Sequence, residues 1–287
     1  MENKKVKIVE CPRDAMQGLR DFIPTATKAA YINSLLKVGF DTVDFGSFVS
    51  PKAMPQMRDT EEVLLQLDAG ATNTKLLAIV ANYRGAQTAT GFKEISQLGF
   101  PLSVSETFQQ RNTNKRIEEA IQEVKSIHTL CESKGKQLVV YLSMAFGNPY
   151  GDVYTPELVS GFVKELVATG IATIAFSDTV GVATPDMVYD LLSAHVPQFS
   201  QTVFGVHLHS RPGEEKEKVH AALEAGCRRF DGALLGFGGC PMARDELVGN
   251  LATENLISIL EKTGYILDLD KEALNEAAKM ATGVFYG

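Results

Sequence analysis

Short apolar runs rich in β-branched residues alternate along this chain with longer amphipathic segments. The runs begin about every 26 to 37 residues, which is the spacing expected when each strand is followed by a loop and a crossover helix. Eight runs are therefore predicted to be strands: KVKIVE, FDTVDF, TKLLAIV, FPLSVSE, QLVVYLSM, ATIAFSD, TVFGVHLH and RRFDGALL.

The segments between these runs have helical character, and several end on glycine, a common signal for a helix C-terminus. Alternation of this kind predicts an α/β fold with a parallel sheet and helices outside it, and eight units favour closure into a (β/α)8 TIM barrel. A doubly wound open sheet is the rival, but no GxGxxG follows the first strand. The predicted helices are TKAAYINSLLKVG, GFKEISQLG, NKRIEEAIQEVKSIHTLCESKG, PELVSGFVKELVATG, PDMVYDLLSAHV and EEKEKVHAALEAG.

Composition is ordinary for a globular protein with a sizeable core, with 45% hydrophobic and 22% charged residues in a chain of 287. Barrels commonly reach this length as one unit, so residues 1–287 are predicted to form a single catalytic domain. The net charge of -7 argues against nucleic-acid binding, which needs a basic surface.

The four cysteines form no CxxC pair, and a chain of this size does not need disulfides. The N-terminus lacks an apolar signal region, and no apolar run reaches the length that crosses a bilayer. We therefore expect reduced thiols, a cytoplasmic location and no membrane contact.

In a TIM barrel the chemistry takes place where the strands end, so the polar residues there are the candidates. Strand seven ends in His207-Leu208-His209, and residues two apart on a strand face the same way. Two such imidazoles provide half of a metal site, to be completed by oxygen ligands. A hydrogen-bonded pair of core histidines is the alternative.

Other strand ends add acidic and basic groups to the same mouth. Strand one leads into Arg13, Asp14 and Gln17, which could equally form an ion pair that closes the barrel top. Asp44 lies in strand two and Asp178 ends strand six. Aspartate is also favoured as a cap of a helix or turn, and this alternative applies to both residues.

A glycine-rich loop, Gly236 to Pro241, follows strand eight and carries Cys240. Glycines allow close substrate approach, but a thiol is reactive only with a suitable pKa and exposure. Asn250 follows in GNLATEN, where an N-cap or turn amide is the alternative interpretation.

Taken together, these motifs resemble the 3-hydroxy-3-methylglutaryl-CoA lyase family of the DRE-TIM metallolyase superfamily. The order and spacing of the motifs extend over nearly the whole chain. The motifs are PRDAMQ (12–17), SFVSPK (47–52) with PQM (55–57), DTVG (178–181), His207-x-His209, GGCP (238–241) and GNLATE (249–254).

The resemblance implies a ligand set for Mg2+ or Mn2+, namely Asp14, His207, His209 and Asn250. Two imidazoles with oxygen donors also accommodate Zn2+. The resemblance further implies an acyl-CoA substrate, cleavage to acetoacetate and acetyl-CoA, and a homodimer.

Roles for other side chains come from the same resemblance. Arg13 is expected to stabilise a thioester enolate, Cys240 to protonate the carbanion, and Asp178 to lie near the reacting hydroxyl. Asp44 stands where the family has glutamate. Gln17 is assigned to substrate binding.

Possible contacts to the nucleotide phosphates of coenzyme A are cationic side chains. Lys52 is the one we assign to the substrate. Arg111, Lys115 and Arg116 are also available, but such charges commonly form a solvated surface.

The sequence departs from the family pattern at four places. Ala15-Met16 replaces Gly-Leu, and Asp44 is one methylene shorter than glutamate. The segment Ser210-Arg211-Pro212-Gly213 replaces an acidic motif, and Asn148 replaces a cysteine. These departures leave open a related 3-hydroxyacyl-CoA substrate, a Claisen-condensing relative, a pyruvate-forming aldolase or a non-catalytic barrel.

Overall fold

The computed structural model describes residues 5–211, 213–239 and 248–286, and eight parallel strands form a closed barrel in chain order. This arrangement confirms the predicted (β/α)8 fold. The strands are β1 Lys7–Glu10, β2 Thr42–Ser47, β3 Lys75–Ile79, β4 Ile95–Ser103, β5 Gln137–Ser143, β6 Thr173–Ser177, β7 Val203–His207 and β8 Arg229–Gly232.

Closure depends on β1, which pairs with both β2 and β8. Against β8 the register is Lys7 with Arg229 through Glu10 with Gly232, so these two strands end at the same level. Parallel strands in this register place their carboxyl ends around one mouth. The residues that follow β1, β7 and β8 therefore meet there, although they lie far apart in sequence.

Most helices surround the barrel on its outer side, whereas the short helix Pro12–Gln17 lies at its mouth. Thr155 and Thr184 each begin a helix as an N-cap whose side chain accepts a backbone N–H, as is common for threonine. The helices are α1 Pro12–Gln17, α2 Thr25–Leu36, α3 Thr60–Leu64, α4 Tyr83–Ala89, α5 Glu106–Thr113, α6 Ile117–Ser133, α7 Pro156–Thr169, α8 Pro185–His195, α9 Glu215–Glu224, α10 Thr253–Lys262 and α11 Lys271–Tyr286.

One predicted helix was wrong. The segment GFKEISQLG contains the first half of β4, which begins at Ile95, and the helix lies earlier in the chain, at Tyr83–Ala89. Ile95 pairs with Leu76 of β3, and the pairing continues to Gly99. An ideal Cβ on Gly99 would lie 2.6 Å from Ile79 Cδ1, so glycine here allows the strands to pack closely.

Two further observations concern thiols and membranes. Cys11, Cys131 and Cys227 are buried and unpaired, while Cys240 lies outside the described residues. Within 5–211, 213–239 and 248–286, no helix has both the length and the apolar character needed to cross a bilayer.

Candidate functional site

A cavity of about 190 Å³ opens at the carboxyl ends of the strands. Charged and polar groups line one part, and apolar side chains line the rest. The lining residues are Arg13, Asp14, Gln17, Asp44, Val49, Ala53, Met54, Ile79, Ala81, Pro101, Phe108, Asn112, Thr113, Tyr141, Ser143, Ser177, Thr179, His207 and His209.

Three of these residues form a compact donor cluster. Asp14, His207 and His209 each offer one ligand atom, and these atoms lie within 4.8 Å of one another. Asp14 is placed by α1, which starts at Pro12 directly after β1, whereas His207 ends β7. The two imidazole centroids are 5.3 Å apart, so the structure brings together the histidine pair and the carboxylate that the sequence predicted.

His209 provides the test of whether this cluster fits a metal ion. Its Nδ1 lies 3.2 Å from the carbonyl oxygen of Thr179, and its Nε2 is buried without a hydrogen-bond partner among the described residues. Burial, with the nearby His207, lowers the pKa of His209 to about 4. A neutral imidazole with an unused buried nitrogen is suited to a cation, as are the donors beside it.

Asn250 also reaches this cluster. Its Nδ2 donates to Asp14 Oδ2 at 2.7 Å and to the carbonyl of Phe237 at 2.8 Å, and its backbone forms an antiparallel bridge with His209. The amide is thus held against the donor carboxylate. The amide oxygen Oδ1 of Asn250 is the atom that could bind a metal ion.

Arg13 is held in a network of buried acceptors. Its Nε lies 3.1 Å from Asp44 Oδ2 and its Nη2 also bonds that carboxylate, while Nη1 donates to Asp14 at 2.9 Å and to Gln17 at 3.0 Å. Burial alone would lower the pKa of Arg13, but Asp44 and Asp14 outweigh it and raise that pKa. The guanidinium is therefore charged and fixed in orientation.

Asp44 reaches Arg13 despite its short side chain. Burial raises the pKa of Asp44 to about 6, although the charge of Arg13 opposes this shift. Gln17 lines the cavity, and its Nε2 donates to Asp14 Oδ1 at 2.7 Å. Both predicted residues therefore lie at the site and contact its central charged groups.

Asp178 and Lys52 have other surroundings. Asp178 accepts backbone N–H groups from Val182 at 2.8 Å and Ala183 at 3.1 Å, and it is not among the described lining residues, although Ser177 and Thr179 are. Asp178 therefore caps the turn that follows β6, which was the alternative interpretation of this aspartate. Lys52 is exposed and lies one residue before the lining segment that begins at Ala53.

Cys240 lies outside the described residues, but the chain leading to it contacts the donor cluster. Gly238 has φ +100°, and an ideal Cβ on it would lie 2.5 Å from Asn250 Nδ2 and 3.0 Å from the backbone oxygen of Asp14. Only glycine fits such a close approach without a shift of its neighbours. The GGCP segment thus begins directly at the mouth.

The altered segment after β7 is described only in part. Ser210 is buried and Arg211 is exposed, and neither is among the described lining residues. Pro212 is outside the described residues.

Sequence reasoning missed a polar group beneath His207. Asp231 Oδ2 lies 3.3 Å from His207 Nδ1, Asp231 Oδ1 accepts from Arg229 Nη1 at 2.7 Å, and Arg229 Nη2 donates to Tyr141 Oη at 3.1 Å. A signal was available, because Arg229 and Asp231 are two apart on one strand and share a face.

Comparison with known proteins decides the family. The model of the HMGL-like family matches residues 5–281. The chain belongs to the HMGL-like family. Its relatives include the mitochondrial hydroxymethylglutaryl-CoA lyase of Mus musculus, 35% identical over 96% of this chain and 84% of the relative. Hydroxymethylglutaryl-CoA lyase of Pseudomonas mevalonii is 32% identical over 94% and 89%.

Solved structures agree with this HMGL-like membership. An HMG-CoA lyase from Acinetobacter baumannii in complex with coenzyme A and 3-methylmalate has a TM-score of 0.92 and 30% identity, over 100% of this chain and 93% of that one. The HMG-CoA lyase from Brucella melitensis has a TM-score of 0.91 and 30% identity, over 99% of each. The resemblance inferred from the motifs is confirmed, and the family and the donor cluster together point to a divalent metal.

Proposed function

We propose that this protein is a carbon–carbon lyase that cleaves 3-hydroxy-3-methylglutaryl-CoA to acetoacetate and acetyl-CoA in the presence of a divalent metal. The observation that supports this most directly is the Nε2 of His209, which has no hydrogen-bond partner among the described residues and lies beside Asp14 and His207 in a cavity shared with the buried Arg13. Membership of the HMGL-like family and relatives named as this lyase support the same substrate.

Asp14, His207, His209 and Asn250 are the residues that would hold the metal. Their carboxylate, amide and imidazole donors suit Mg2+ or Mn2+, and the two imidazoles would also accept Zn2+. When bound, the cation lowers the pKa of the substrate hydroxyl and orients it. The protein contributes the rigid support, since Asn250 and Gln17 both hydrogen-bond Asp14.

Arg13 would act on the thioester. Breaking the bond between C2 and C3 leaves an electron pair on C2, next to the thioester carbonyl, and that charge spreads to the carbonyl oxygen. A fixed guanidinium stabilises such an oxygen as the charge develops, without having to reorganise. Asp44 holds this guanidinium from one side and Asp14 from another, so the ion pairs are the source of its orientation.

A proton must then reach C2, while C3 becomes the ketone carbon of acetoacetate and the hydroxyl proton passes to solvent, so that one proton is gained for each one lost. We assign the donation to the Cys240 thiol, because the GGCP segment starts against Asp14 and Asn250. The apolar wall of the cavity, including Val49, Met54 and Phe108, would exclude water from the carbanion.

The coenzyme A part of the bound substrate would extend out of the cavity next to Lys52, which is exposed. An ammonium group there suits the nucleotide phosphates. Support for a CoA thioester comes from the related A. baumannii lyase, which was solved with coenzyme A.

The test is cleavage of 3-hydroxy-3-methylglutaryl-CoA by the purified protein with Mg2+ or Mn2+, beside an EDTA-treated sample, following acetoacetate. We expect product only with metal. His207→Ala, measured in parallel, should lose both metal binding and product. Bound metal with no cleavage of this thioester would overturn the substrate assignment, and cleavage unaffected by EDTA would overturn the metal assignment.

A further inference from the structure

A run of polar side chains connects three strands beneath the donor cluster. His207 ends β7, Asp231 and Arg229 belong to β8, and Tyr141 belongs to β5. The contacts are continuous: 3.3 Å from His207 Nδ1 to Asp231 Oδ2, 2.7 Å from Arg229 Nη1 to Asp231 Oδ1, and 3.1 Å from Arg229 Nη2 to Tyr141 Oη.

Tyr141, Arg229 and Asp231 are buried, whereas His207 at the top of the run is partly exposed. Asp231 is 1% exposed and Arg229 is 4% exposed. A carboxylate in such a place needs both a countercharge and hydrogen-bond donors, and removal of one partner is costly. Arg229 provides the charge on one oxygen, which leaves the other oxygen for the imidazole.

We propose that Asp231 and Arg229 are positioning residues that fix the tautomer of His207, an inference that rests on the proposed metal site. The Nδ1–H of His207 donates to Asp231, so the lone pair lies on Nε2, the nitrogen that remains for the cluster with Asp14 and His209. A carboxylate behind a histidine ligand is a recurrent means of orienting the ring and raising its basicity.

Arg229 determines which oxygen of residue 231 faces the imidazole. Its Nη1 requires an acceptor, and Oδ1 supplies it. If residue 231 were asparagine, its single carbonyl oxygen would be drawn to Arg229 and its amide NH2 would face His207. The imidazole Nδ1 would then have to accept a hydrogen bond, which moves the ring proton to Nε2 and blocks the lone pair there.

The fold makes room for this arginine. Gly205 of β7 faces it, and an ideal Cβ there would lie 3.0 Å from both Arg229 Cδ and Nη1. Gly205 therefore leaves the space that the Arg229 side chain occupies. The Cys11 thiol is 4.0 Å from Asp231 Oδ2 and nearer, at 3.7 Å, to the carbonyl of Val9, so His207 and Arg229 are the closer partners of the carboxylate.

The first test is Mn2+ affinity, read from the EPR signal of free Mn2+ without any substrate. Asp231→Asn should weaken binding about 10- to 100-fold, the usual effect of losing such a support. The double variant Arg229→Met with Asp231→Asn should bind Mn2+ more tightly than Asp231→Asn, because the carbonyl is released from the arginine and can turn to His207. Gly205→Ala should weaken binding by a smaller factor.

The second test reads the tautomer itself in the metal-free protein. Recorded at alkaline pH, where the ring carries one proton, the 15N chemical shifts of His207 should show that proton on Nδ1 in the wild type and on Nε2 in Asp231→Asn. An unchanged tautomer with unchanged Mn2+ affinity would overturn the proposal. The NMR spectrum of each variant also reports whether it is folded, and the single variant suffices if the double variant does not fold.

Two controls separate this inference from the proposed metal site. Asp59→Asn removes a buried carboxylate that pairs with Lys28 away from the cavity, and it should leave Mn2+ affinity unchanged. His207→Ala should abolish tight binding. If His207→Ala binds Mn2+ as tightly as the wild type, the proposed metal site is wrong. If His207→Ala loses Mn2+ binding but Asp231→Asn binds Mn2+ as tightly as the wild type, only the positioning role of Asp231 is wrong.

Discussion

Among single residues, His209 combines an unusual environment with a place in the donor cluster. A buried polar atom without a partner costs about 1–3 kcal/mol, so such atoms are rare in folded proteins. The carbonyl of Thr179 engages Nδ1, whereas Nε2 has no partner among the described residues. This cost is explained if Nε2 serves as a metal ligand. The buried carboxylate of Asp14, in the same cluster, accepts hydrogen bonds from Arg13, Gln17 and Asn250.

Cys240 should matter for turnover and not for metal binding. Cys240→Ala is expected to lower kcat about 100-fold or more, because it removes the proposed general acid. Mn2+ affinity should stay within about twofold of the wild-type value, since the thiol is not among the proposed ligands. Steady-state kinetics and Mn2+ titration measure the two quantities separately. A parallel loss of Mn2+ affinity would contradict the assignment of this thiol as a proton donor.

Glu10 should make stability depend on pH. Burial raises its pKa from 4.5 to about 8, although hydrogen bonds from Thr253 at 2.5 Å and from the Leu234 amide at 2.8 Å oppose the shift. The folded chain therefore binds a proton that the unfolded chain releases between these values. This stabilisation is complete below about pH 4.5 and is lost as the pH rises towards 8, by about 1.4 kcal/mol per pH unit.

The matched variant is Glu10→Gln, which resembles the protonated carboxyl. Urea unfolding at pH 5, 6, 7 and 8 should show a flatter dependence of the free energy of unfolding in the variant. Other titrating groups are shared by both proteins, so the difference between the two slopes reports on Glu10. Parallel slopes would contradict the prediction.

Among the helices, α7 allows a direct test of N-capping. Thr155 precedes it, and its hydroxyl accepts the amide of Leu158 at 3.1 Å. Thr155→Ala should lower the free energy of unfolding by about 1 kcal/mol, because one amide at the helix start loses its acceptor. Thr155→Ser keeps the hydroxyl and should stay close to the wild type. Chemical denaturation measures both, and equal losses in the two variants would show that the methyl group matters more than the cap.

The pattern of residue types predicted the structure correctly where the residues concerned are close together in the sequence. Alternation along β7 predicted that His207 and His209 lie together, and their rings are 5.3 Å apart. It failed for β4, because GFKEISQLG has helical residue types but is held as strand by pairing with β3 and β5. Cross-strand pairing is a property of distant segments, and no local window contains it.

Side-chain networks across strands were beyond the sequence for the same reason. The contact of Tyr141 with Arg229 joins residues 88 positions apart. Asp178 shows the opposite difficulty, since an aspartate after a strand suits both a catalytic site and a turn, and the backbone geometry favours the turn. The family resemblance supplied the proposed ligand set, but the contact of Asp231 with His207 appeared only in the structure.

For the whole molecule, metal binding should stabilise the closed barrel. The proposed ligands follow β1, end β7 and follow β8, so the unfolded chain does not hold them together. At a Mn2+ concentration 100 times Kd, the free energy of unfolding should rise by about 2.7 kcal/mol. Urea unfolding with Mn2+ and with EDTA checks this. An unchanged midpoint at saturating Mn2+ would show that the metal binds the unfolded chain equally well or does not bind at all.

The bond between Asn250 and Asp14 spans 236 positions, nearly the whole chain. During synthesis on the ribosome, Asp14 is made before β7, β8 and the segment after them. A nascent or prematurely terminated chain that ends before Asn250 therefore exposes an arginine and two aspartates with no complete metal site. We therefore expect activity to require the chain through Asn250, and truncated products that end before it should be inactive whatever their partial structure.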